Sequence, residues 1–295
     1  MFGFQGEQAM NKTLFLGNGI NRLTNLGVGW NDVISALASD VGGEELLKYK
    51  ENVPFTLIYE GFSSKKLENS KRGITPLKEK VANLLSKMVS NPYHERIMNL
   101  GMKHIITSNY DYSLENSISE ISDFEFFRNE TRYSVFRRVK VANSNIWHIH
   151  GEVEKPATIT LGHEQYSGQL EHLRKHLTSK DASPFRIHQS GFENSDLKYS
   201  WGDVFLRDEI HIVGFSLDYS EVDIWWLLTF KAQYEARYHI KCGPTIYYYW
   251  SSGPKKEKDK GKIELLKSLK INVEEKFNID YREMYDRLIE GFGNK

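Results

Sequence analysis

Short runs of apolar residues, each followed at once by small or polar residues, recur along this chain. Four of them predict buried β-strands, at residues 13–16 (TLFL), 104–107 (HIIT), 145–149 (NIWHI) and 209–213 (EIHIV). A fifth run at residues 245–250 (TIYYYW) is aromatic and predicts a further strand. Apolar runs of this length, bounded by glycine and polar residues, are typical of interior strands in a parallel sheet covered on both faces.

Helical patterns lie between the predicted strands. Apolar residues at helical spacing run from Leu77 to Met88 with charged residues on the other side, and Pro76 suits the first turn of that helix. Residues 222–234 and 263–269 predict two more helices. Because strands alternate with helices, the pattern favours right-handed crossovers and an α/β fold with a doubly wound parallel sheet.

Two stretches depart from this alternation. Residues 152–202 carry many His, Ser, Gln and Gly and predict a helical insertion or cap on the sheet. Residues 251–262 (SSGPKKEKDKGK) predict a charged surface loop, which we favour over an interpretation in which its basic cluster contacts a phosphate. We therefore interpret residues 1–295 as a single domain, with residues 251–295 as a C-terminal α/β extension.

Composition excludes several classes of protein. The 295 residues can bury a full core, and 39 Lys and Arg balance 39 Asp and Glu. This zero formal charge argues against a protein that coats DNA or an anionic membrane, so neither is expected as a partner. No apolar run nears the roughly 18 residues of a membrane span, and the start (MFGFQGEQAMNK) lacks the pattern of a secretory signal. The single cysteine, Cys242, excludes an internal disulfide and a Cys-rich zinc site, so we expect a cytoplasmic globular protein.

Each conspicuous polar cluster follows a predicted strand, at the edge where doubly wound sheets bind ligands. The first cluster is Gly17-Asn18-Gly19, where glycines let backbone N–H groups approach a phosphate in front of a helix. Arg22 stands where the usual dinucleotide fingerprint has a third Gly or Ala. A tight strand-to-helix turn therefore explains the motif equally well.

The clusters after the second and third strands carry groups for acid–base chemistry and hydrogen bonding. Strand alternation puts His148 and His150 on one face, with His150 nearer the crevice and suited to general acid–base catalysis. His148 is favoured as a core histidine. The pair could also bind a metal, but no Cys or acidic cluster lies nearby in the sequence, so no metal site is predicted. The amide of Asn109 either binds a sugar hydroxyl or a water, or it caps a following helix.

Together these segments resemble the sirtuin-like (SIR2-like) superfamily, in particular the bacterial SIR2-like domains of antiphage defence. The resemblance spans roughly residues 12–250. It is carried by Gly17-Asn18-Gly19-Ile20-Asn21 with Trp30, Ser108-Asn109-Tyr110-Asp111, Trp147-His148-Ile149-His150-Gly151, and Gly214-Phe215-Ser216-Leu217 with Asp223. Two features depart from the family: Gly29 replaces a proline that often precedes the tryptophan, and one cysteine cannot build the four-cysteine zinc module of the deacetylating members.

The resemblance implies a Rossmann-like fold that takes NAD as its substrate, without zinc. Asn109 would be the catalytic asparagine and His150 the catalytic histidine. The residues implied to bind NAD are Gly17, Asn18, Gly19 and Asn21 in the first loop, Ser108 and Asp111 in the second, Gly151 after the histidine, and Gly214 and Ser216 near the adenosine half. The missing zinc module puts deacylation in doubt, whereas the zinc-lacking branch is associated with NAD hydrolysis.

We therefore expect an NAD⁺ hydrolase that acts as the NAD-depleting effector of an antiphage defence system. Because unchecked loss of NAD would kill the cell, we expect control by homo-oligomer assembly or by a separate sensor subunit. By analogy that subunit is a HerA-type ATPase or a HAM1-type nucleotide-processing protein. The alternatives are an NAD-dependent deacylase or ADP-ribosyltransferase, and a non-catalytic subunit that binds NAD or ADP-ribose.

Two segments keep two interpretations each. Residues 162–166 (GHEQY) either start a helix, which we favour, or lie over the pocket as a lid. Residues 224–228 (IWWLL) form either a buried helix on the sheet, which we favour, or a contact surface for a partner.

Overall fold

The computed structural model describes residues 10–23, 28–128, 132–179, 199–239, 241–251, 253, 257–277 and 279–293. Over these residues the chain forms eight β-strands and ten α-helices. The strands are β1 (Lys12–Leu16), β2 (His104–Thr107), β3 (Glu125–Phe127), β4 (Arg138–Val141), β5 (Ser144–His148), β6 (Glu209–Val213), β7 (Thr245–Ser251) and β8 (Asn272–Phe277). The helices are α1 (Trp30–Val41), α2 (Glu44–Leu47), α3 (Phe55–Asn69), α4 (Thr75–Leu85), α5 (Pro92–Met98), α6 (His163–Thr178), α7 (Trp201–Arg207), α8 (Val222–Tyr238), α9 (Glu257–Ser268) and α10 (Tyr281–Gly293).

All eight strands belong to one sheet, in the order β3-β4-β5-β2-β1-β6-β7-β8. Neighbours from β5 to β8 run parallel, whereas β3 and β4 add an antiparallel edge. The four strands predicted as buried form the centre of the sheet, and their apolar runs are continuous because helices cover both faces. The predicted Rossmann-like α/β fold is thus confirmed.

The two faces of the sheet pack against different helices. On one face, strand residues such as Phe15 and Ile212 join the core formed with α6, α7 and α8. On the other face, residues such as Leu16 and Ile105 pack against α5 and α10. A third cluster joins α1, α3 and α4 to the antiparallel edge. The alternation along each central strand therefore divides its apolar side chains between two cores.

The strand order reverses at β1, because the chain continues to β2 on one side and later to β6 on the other. The loops that follow β1 and β6 lie against each other. The Gly17 N–H donates to the Val213 carbonyl at 3.0 Å, and the Gly19 N–H donates to the Gly214 carbonyl at 2.9 Å. Reversals of this kind open a crevice outside the carboxyl ends of the strands.

The predicted surface loop at residues 251–262 is wrong over its second half. There α9 begins at Glu257, because Ile263 and Leu266 are buried and the helix extends N-terminally from them. Residues 252 and 254–256 of that segment lie outside the described part of the chain. Of the predicted cap at 152–202, the structure describes α6 and the start of α7, and residues 180–198 likewise lie outside it.

The apolar segment at residues 224–228 is part of α8. Ile224, Leu227 and Leu228 are buried in the core, and Trp225 and Trp226 are half-buried at its margin. This packing agrees with the favoured interpretation of a buried helix. None of the helices in the described ranges is both long and apolar enough to cross a membrane.

Candidate functional site

The crevice at the β1 reversal holds a cavity of about 340 Å³. This volume lies within the range of about 300–1,000 Å³ that is usual for small-molecule sites. The wall is built from loops that follow four parallel strands, together with α1, β7 and α9. Its polar and aromatic side chains include Asn18, Arg22, Trp30, Ser108, Asn109, Asp111, His150, Tyr166, Ser216, Glu221, Tyr247, Tyr249 and Lys262.

The structure brings together eight of the residues predicted for the site. These cavity-lining residues are Asn18, Gly19, Ser108, Asn109, Asp111, His150, Gly214 and Ser216. The cavity wall, as far as the structure describes it, does not include Gly17, Asn21 or Gly151. Direct NAD contacts from these three residues stay a prediction.

Gly17, Asn21 and Gly151 each support the structure of the loops next to the cavity. A Cβ on Gly17 would come within 2.5 Å of the Gly214 carbonyl oxygen, so the close approach of the two loops requires glycine there. Gly151 has a φ of +106°, which favours glycine. The amide of Asn21 donates to the side chains of Asn18 and Asp111, both at 2.9 Å, and so links the loops after β1 and β2.

The glycine loop differs from a dinucleotide fingerprint in the element that it enters. The loop leads into a short 3₁₀ turn, Ile20–Leu23, and the first α-helix begins only at Trp30. Arg22 lies within this turn and lines the cavity at the position where the fingerprint would have a third glycine. The Gly17 and Gly19 N–H groups donate to the Val213 and Gly214 carbonyls, so the group of this loop that suits an anionic ligand is the Arg22 guanidinium.

Asn109 is held by three hydrogen bonds at the end of β2. Its side-chain amide donates to the Gly17 carbonyl at 3.3 Å, and its backbone N–H donates to Thr107 Oγ1 at 3.1 Å. Its own carbonyl oxygen accepts from His148 Nδ1 at 2.8 Å. The next helical turn begins only at Glu115, so Asn109 is not a helix cap. Its amide lines the cavity instead.

His148 lies in the core with both ring nitrogens bound. Nε2 lies 2.7 Å from Glu115 Oε1, and neither side chain is exposed to solvent. Burial alone would lower the pKa of His148, but the Glu115 carboxylate outweighs it and raises the pKa to about 8. A ring that donates to the Asn109 carbonyl and to the Glu115 carboxylate at once carries a positive charge, and this is the form that the raised pKa favours at neutral pH. This residue is the structural histidine of the pair.

His150 has a different environment, although it is only two residues away. Its Nε2 lies 3.0 Å from Asp223 Oδ2, and its Nδ1 lies 3.8 Å from Glu221 Oε2. Tyr166 packs edge-to-face against the ring, with 4.9 Å between ring centroids. Burial lowers the pKa of His150, but the carboxylates of Asp223 and Glu221 outweigh burial and raise it above its ordinary value.

Glu221 shares its proton equilibrium with this histidine. Burial raises the pKa of Glu221 to about 7; the nearby Asp223 adds to the shift and His150 opposes it. Among the described residues, Glu221 Oε2 and Asp223 Oδ1 have no hydrogen-bond partner. Buried acceptors of this kind mark a place where a ligand, a water or a proton is expected.

Sequence reasoning did not place Glu221 in the site, brought Tyr166 to the pocket only under the less favoured lid interpretation of GHEQY, and noted Asp223 only as part of the family resemblance. The helix α6 begins at His163, as favoured for the GHEQY segment, and its first turn places Tyr166 against His150. A usable signal for the acids was present, since Glu221 immediately precedes the predicted helix that follows the fourth strand and Asp223 lies at its start. The sequence does not show which of the two histidines lies next to the start of that helix.

No acidic cluster lies near the two histidines in the sequence, but the fold brings Glu221 and Asp223 to His150. The ligand atoms of His150, Glu221 and Asp223 lie within 4.8 Å of one another, so carboxylates do meet the histidine, although from a distant part of the chain. His150 Nε2 and Asp223 Oδ2 are 3.0 Å apart, which is a normal hydrogen-bond distance, so these two atoms bind each other. We therefore describe these residues as a hydrogen-bonded histidine–carboxylate group.

A family model described as a SIR2-like domain matches residues 103–272, which include Asn109, His150 and Asp223. No curated protein matches the chain significantly.

Proposed function

This chain belongs to the SIR2-like domain family, whose members are typically NAD-dependent enzymes, and on that premise we propose that it hydrolyses NAD⁺ to nicotinamide and ADP-ribose. The observation that carries the proposal is the meeting of Asn109 and His150 in one cavity, beside the loops of β1 and β6. A protein that only bound NAD would have no need of a buried base whose proton equilibrium is set by two carboxylates.

The residues around the cavity fit a dinucleotide. Gly19 and Gly214 bring the two loops so close that a Cβ on Gly19 would lie 2.7 Å from the Gly214 Cα. The guanidinium of Arg22, which lines the cavity beside these loops, would hold the pyrophosphate. The tyrosine rings of β7 that line the far wall offer surfaces on which a base can stack.

The chemistry requires a proton acceptor and a positioned water. The bond between ribose C1′ and the nicotinamide nitrogen breaks, and its electron pair leaves with neutral nicotinamide. Positive charge develops on the sugar, as in glycoside hydrolysis. The water oxygen bonds to C1′ and its proton passes to His150, while the Asn109 amide orients the water or the ribose. The products are ADP-ribose, nicotinamide and one proton.

We propose that this activity serves as the NAD-depleting effector of an antiphage defence system. The support is the likeness to that branch of the family and the single cysteine, which cannot build the zinc module of the deacetylating members. Free NAD hydrolysis would be toxic, so control through homo-oligomer assembly or a sensor subunit belongs to the proposal. Light scattering with and without candidate subunits tests it, and a fully active isolated monomer would contradict this part.

The enzymatic test measures nicotinamide and ADP-ribose release from NAD⁺ by liquid chromatography. His150→Ala and Asn109→Ala are each expected to lower turnover at least about 100-fold, because general-base catalysis contributes about 10²–10⁴-fold. His163→Ala, an exposed histidine at the start of α6, is the matched control and should behave as wild type. Thermal melting verifies that each variant is folded.

The other outcomes separate the alternatives. Release at the wild-type rate by His150→Ala or Asn109→Ala would refute the assignment of the site. NAD consumption that requires an acylated peptide or a protein acceptor would indicate the deacylase or transferase. NAD binding without cleavage, persisting after candidate partner subunits are added, would indicate a binding subunit.

A further inference from the structure

Both ring nitrogens of His150 face carboxylates from the start of one helix. Asp223 lies in the first turn of α8, and Glu221 is the residue immediately before that helix. The side chains of His150 and Asp223 are essentially unexposed, whereas that of Glu221 keeps 14% exposure, at the cavity wall. One carboxylate is thus enclosed in the protein and the other reaches the ligand space.

We propose that Asp223 is a positioning residue that fixes the tautomer of His150, and that Glu221 acts with His150 Nδ1 as a joint proton acceptor on the cavity side. The proposal rests on the NAD hydrolysis proposed above and assigns the atoms that handle its proton.

The role of Asp223 follows from hydrogen-bond direction. An ionised carboxylate only accepts, so the 3.0 Å contact requires His150 Nε2 to donate. In the neutral ring the lone pair is then on Nδ1, the nitrogen that faces Glu221 and the cavity side. The same logic governs the aspartate of serine-protease triads, which holds its histidine in one tautomer. Here the histidine would act on a water rather than on a serine.

The role of Glu221 follows from distance. The 3.8 Å between His150 Nδ1 and Glu221 Oε2 is too long for a direct hydrogen bond. One oxygen atom of a water or a ribose hydroxyl can hydrogen-bond to both atoms at once across that gap. Oε2 has no hydrogen-bond partner among the described residues, so it is available to such an oxygen atom. The proton that leaves the water can therefore be shared between Nδ1 and Oε2.

Proton binding at the unit formed by His150, Glu221 and Asp223 depends mainly on these three residues, because no other titratable group near it in the described part of the chain changes charge at neutral pH. Tyr166 and Tyr110 face it from α6 and from the loop after β2, and burial raises the pKa of both hydroxyls, so both stay neutral. Asp218 adds a negative charge from the loop after β6, which raises the pKa of Glu221 further. The basic form of the unit is therefore reached near neutral pH, and activity should rise with pH through about 7.

The test combines kinetics with the protonation pattern of one ring. Asp223→Asn is expected to lower kcat by about 10²–10⁴-fold with little change in KM, because the Asn amide donates to Nε2 and reverses the tautomer. Glu221→Gln should lower kcat about 10-fold, the low end of an acid–base effect. It should also move the acidic limb of the kcat/KM profile to lower pH, because the charge that raises the pKa of His150 is gone. A merely structural residue would not move that limb.

The matched control is Glu209→Gln. It breaks another histidine–carboxylate contact, 2.7 Å to His211 at the opposite end of β6, away from the cavity. This variant is expected to keep the wild-type kinetics and pH profile. If it shifts the acidic limb as Glu221→Gln does, the shift reports net charge and the assignment of Glu221 falls.

Nuclear magnetic resonance of ¹⁵N-labelled histidines separates this proposal from the proposed function. The His150 signals, identified by their loss in His150→Gln, are expected to show Nε2–H in the wild type and Nδ1–H in Asp223→Asn. This result does not depend on turnover, so a wild type that stays inactive after candidate partner subunits are added would refute NAD hydrolysis and leave the tautomer assignment testable. The same tautomer in both proteins would overturn the role of Asp223. Activity lost to EDTA and restored by Zn²⁺ or Mn²⁺ would overturn the proton-sharing unit, because the three residues would then be metal ligands.

Discussion

The buried pair of His148 and Glu115 makes the stability of this protein depend on pH in a way that one substitution can reveal. The histidine needs its proton to donate to both Glu115 and the Asn109 carbonyl. Glu115→Gln keeps the shape of the side chain and removes the charge. Burial then holds the pKa of His148 below its ordinary value, and the neutral ring can still donate to Asn109 while accepting from the Gln amide.

The size of the effect follows from the raised pKa. The pKa of His148 is about 8 in the folded protein against an ordinary value of 6.5. This difference of about 1.5 units corresponds to roughly 2 kcal/mol of folding free energy. Because the folded-state pKa is the higher one, the stabilisation is complete below pH 6.5 and is lost as the pH rises through 8.

The assay is urea unfolding of both proteins at several pH values from 6 to 9. The wild type is expected to exceed Glu115→Gln by at least about 2 kcal/mol at pH 6, with the excess falling to near zero at pH 9. Other buried titrating groups, such as Lys78 and Lys231, are common to both proteins and cancel in the difference. Glu125→Gln, which breaks an exposed contact to Lys140, should change the stability by less than about 0.5 kcal/mol at every pH. A wild-type excess that stays constant from pH 6 to 9 would refute the charged pair.

Two further predictions concern the loop after β1. Gly17→Ala places a Cβ 2.5 Å from the Gly214 carbonyl oxygen and should lower the free energy of unfolding by about 1–3 kcal/mol and weaken NAD binding. Gly261→Ala on α9 is the control: its Cβ would meet nothing within 4 Å, and the substitution should stabilise the protein by up to about 1 kcal/mol. If urea unfolding shows the same loss of stability for both variants, the packing argument for Gly17 is wrong. Arg22→Gln should raise the KM for NAD about 10-fold at unchanged kcat, because a cation that binds phosphate contributes equally to ground and transition states. The exposed Arg72→Gln is the control in steady-state kinetics, and a fall in kcat for Arg22→Gln would place that residue in the chemical step instead.

The central strands could be predicted because they are buried on both faces, and the strands at the edges could not. In β4 the sequence RVKV alternates, with Val139 and Val141 buried and Lys140 exposed. In β8 the sequence NVEEKF has no buried residue, because this strand closes the sheet and is largely in contact with solvent. A search for continuous apolar runs misses both kinds of strand. Their place follows only from pairing with a neighbour that is distant in the sequence.

The candidate site divides in the same way. Asn109, His150 and the glycine loops were predictable because each follows a buried strand, and the carboxyl ends of parallel strands meet at one edge. Glu221 and Tyr166 lie on helix starts, and only the packing of α6 and α8 against each other brings them to the same histidine. The helical start of GHEQY could be predicted locally, whereas the ring that its tyrosine contacts could not.

The two histidines of the WHIHG segment show how the surroundings decide the use of one residue type. Alternation puts both on the same face, and both are buried. His148 meets a backbone acceptor at one nitrogen and a fully buried carboxylate at the other, so its proton is held on both sides and its ring links β5 to the backbone of Asn109. His150 meets a carboxylate within hydrogen-bond distance at Nε2 only, and the 3.8 Å gap at Nδ1 leaves room for an exchanging oxygen atom. The difference arises from Glu115 and from the start of α8, 33 and 73 residues away along the chain. A histidine that acts as a base therefore needs one ring nitrogen without a direct hydrogen bond to the protein. Of these two rings, that of His150 meets this requirement, at Nδ1.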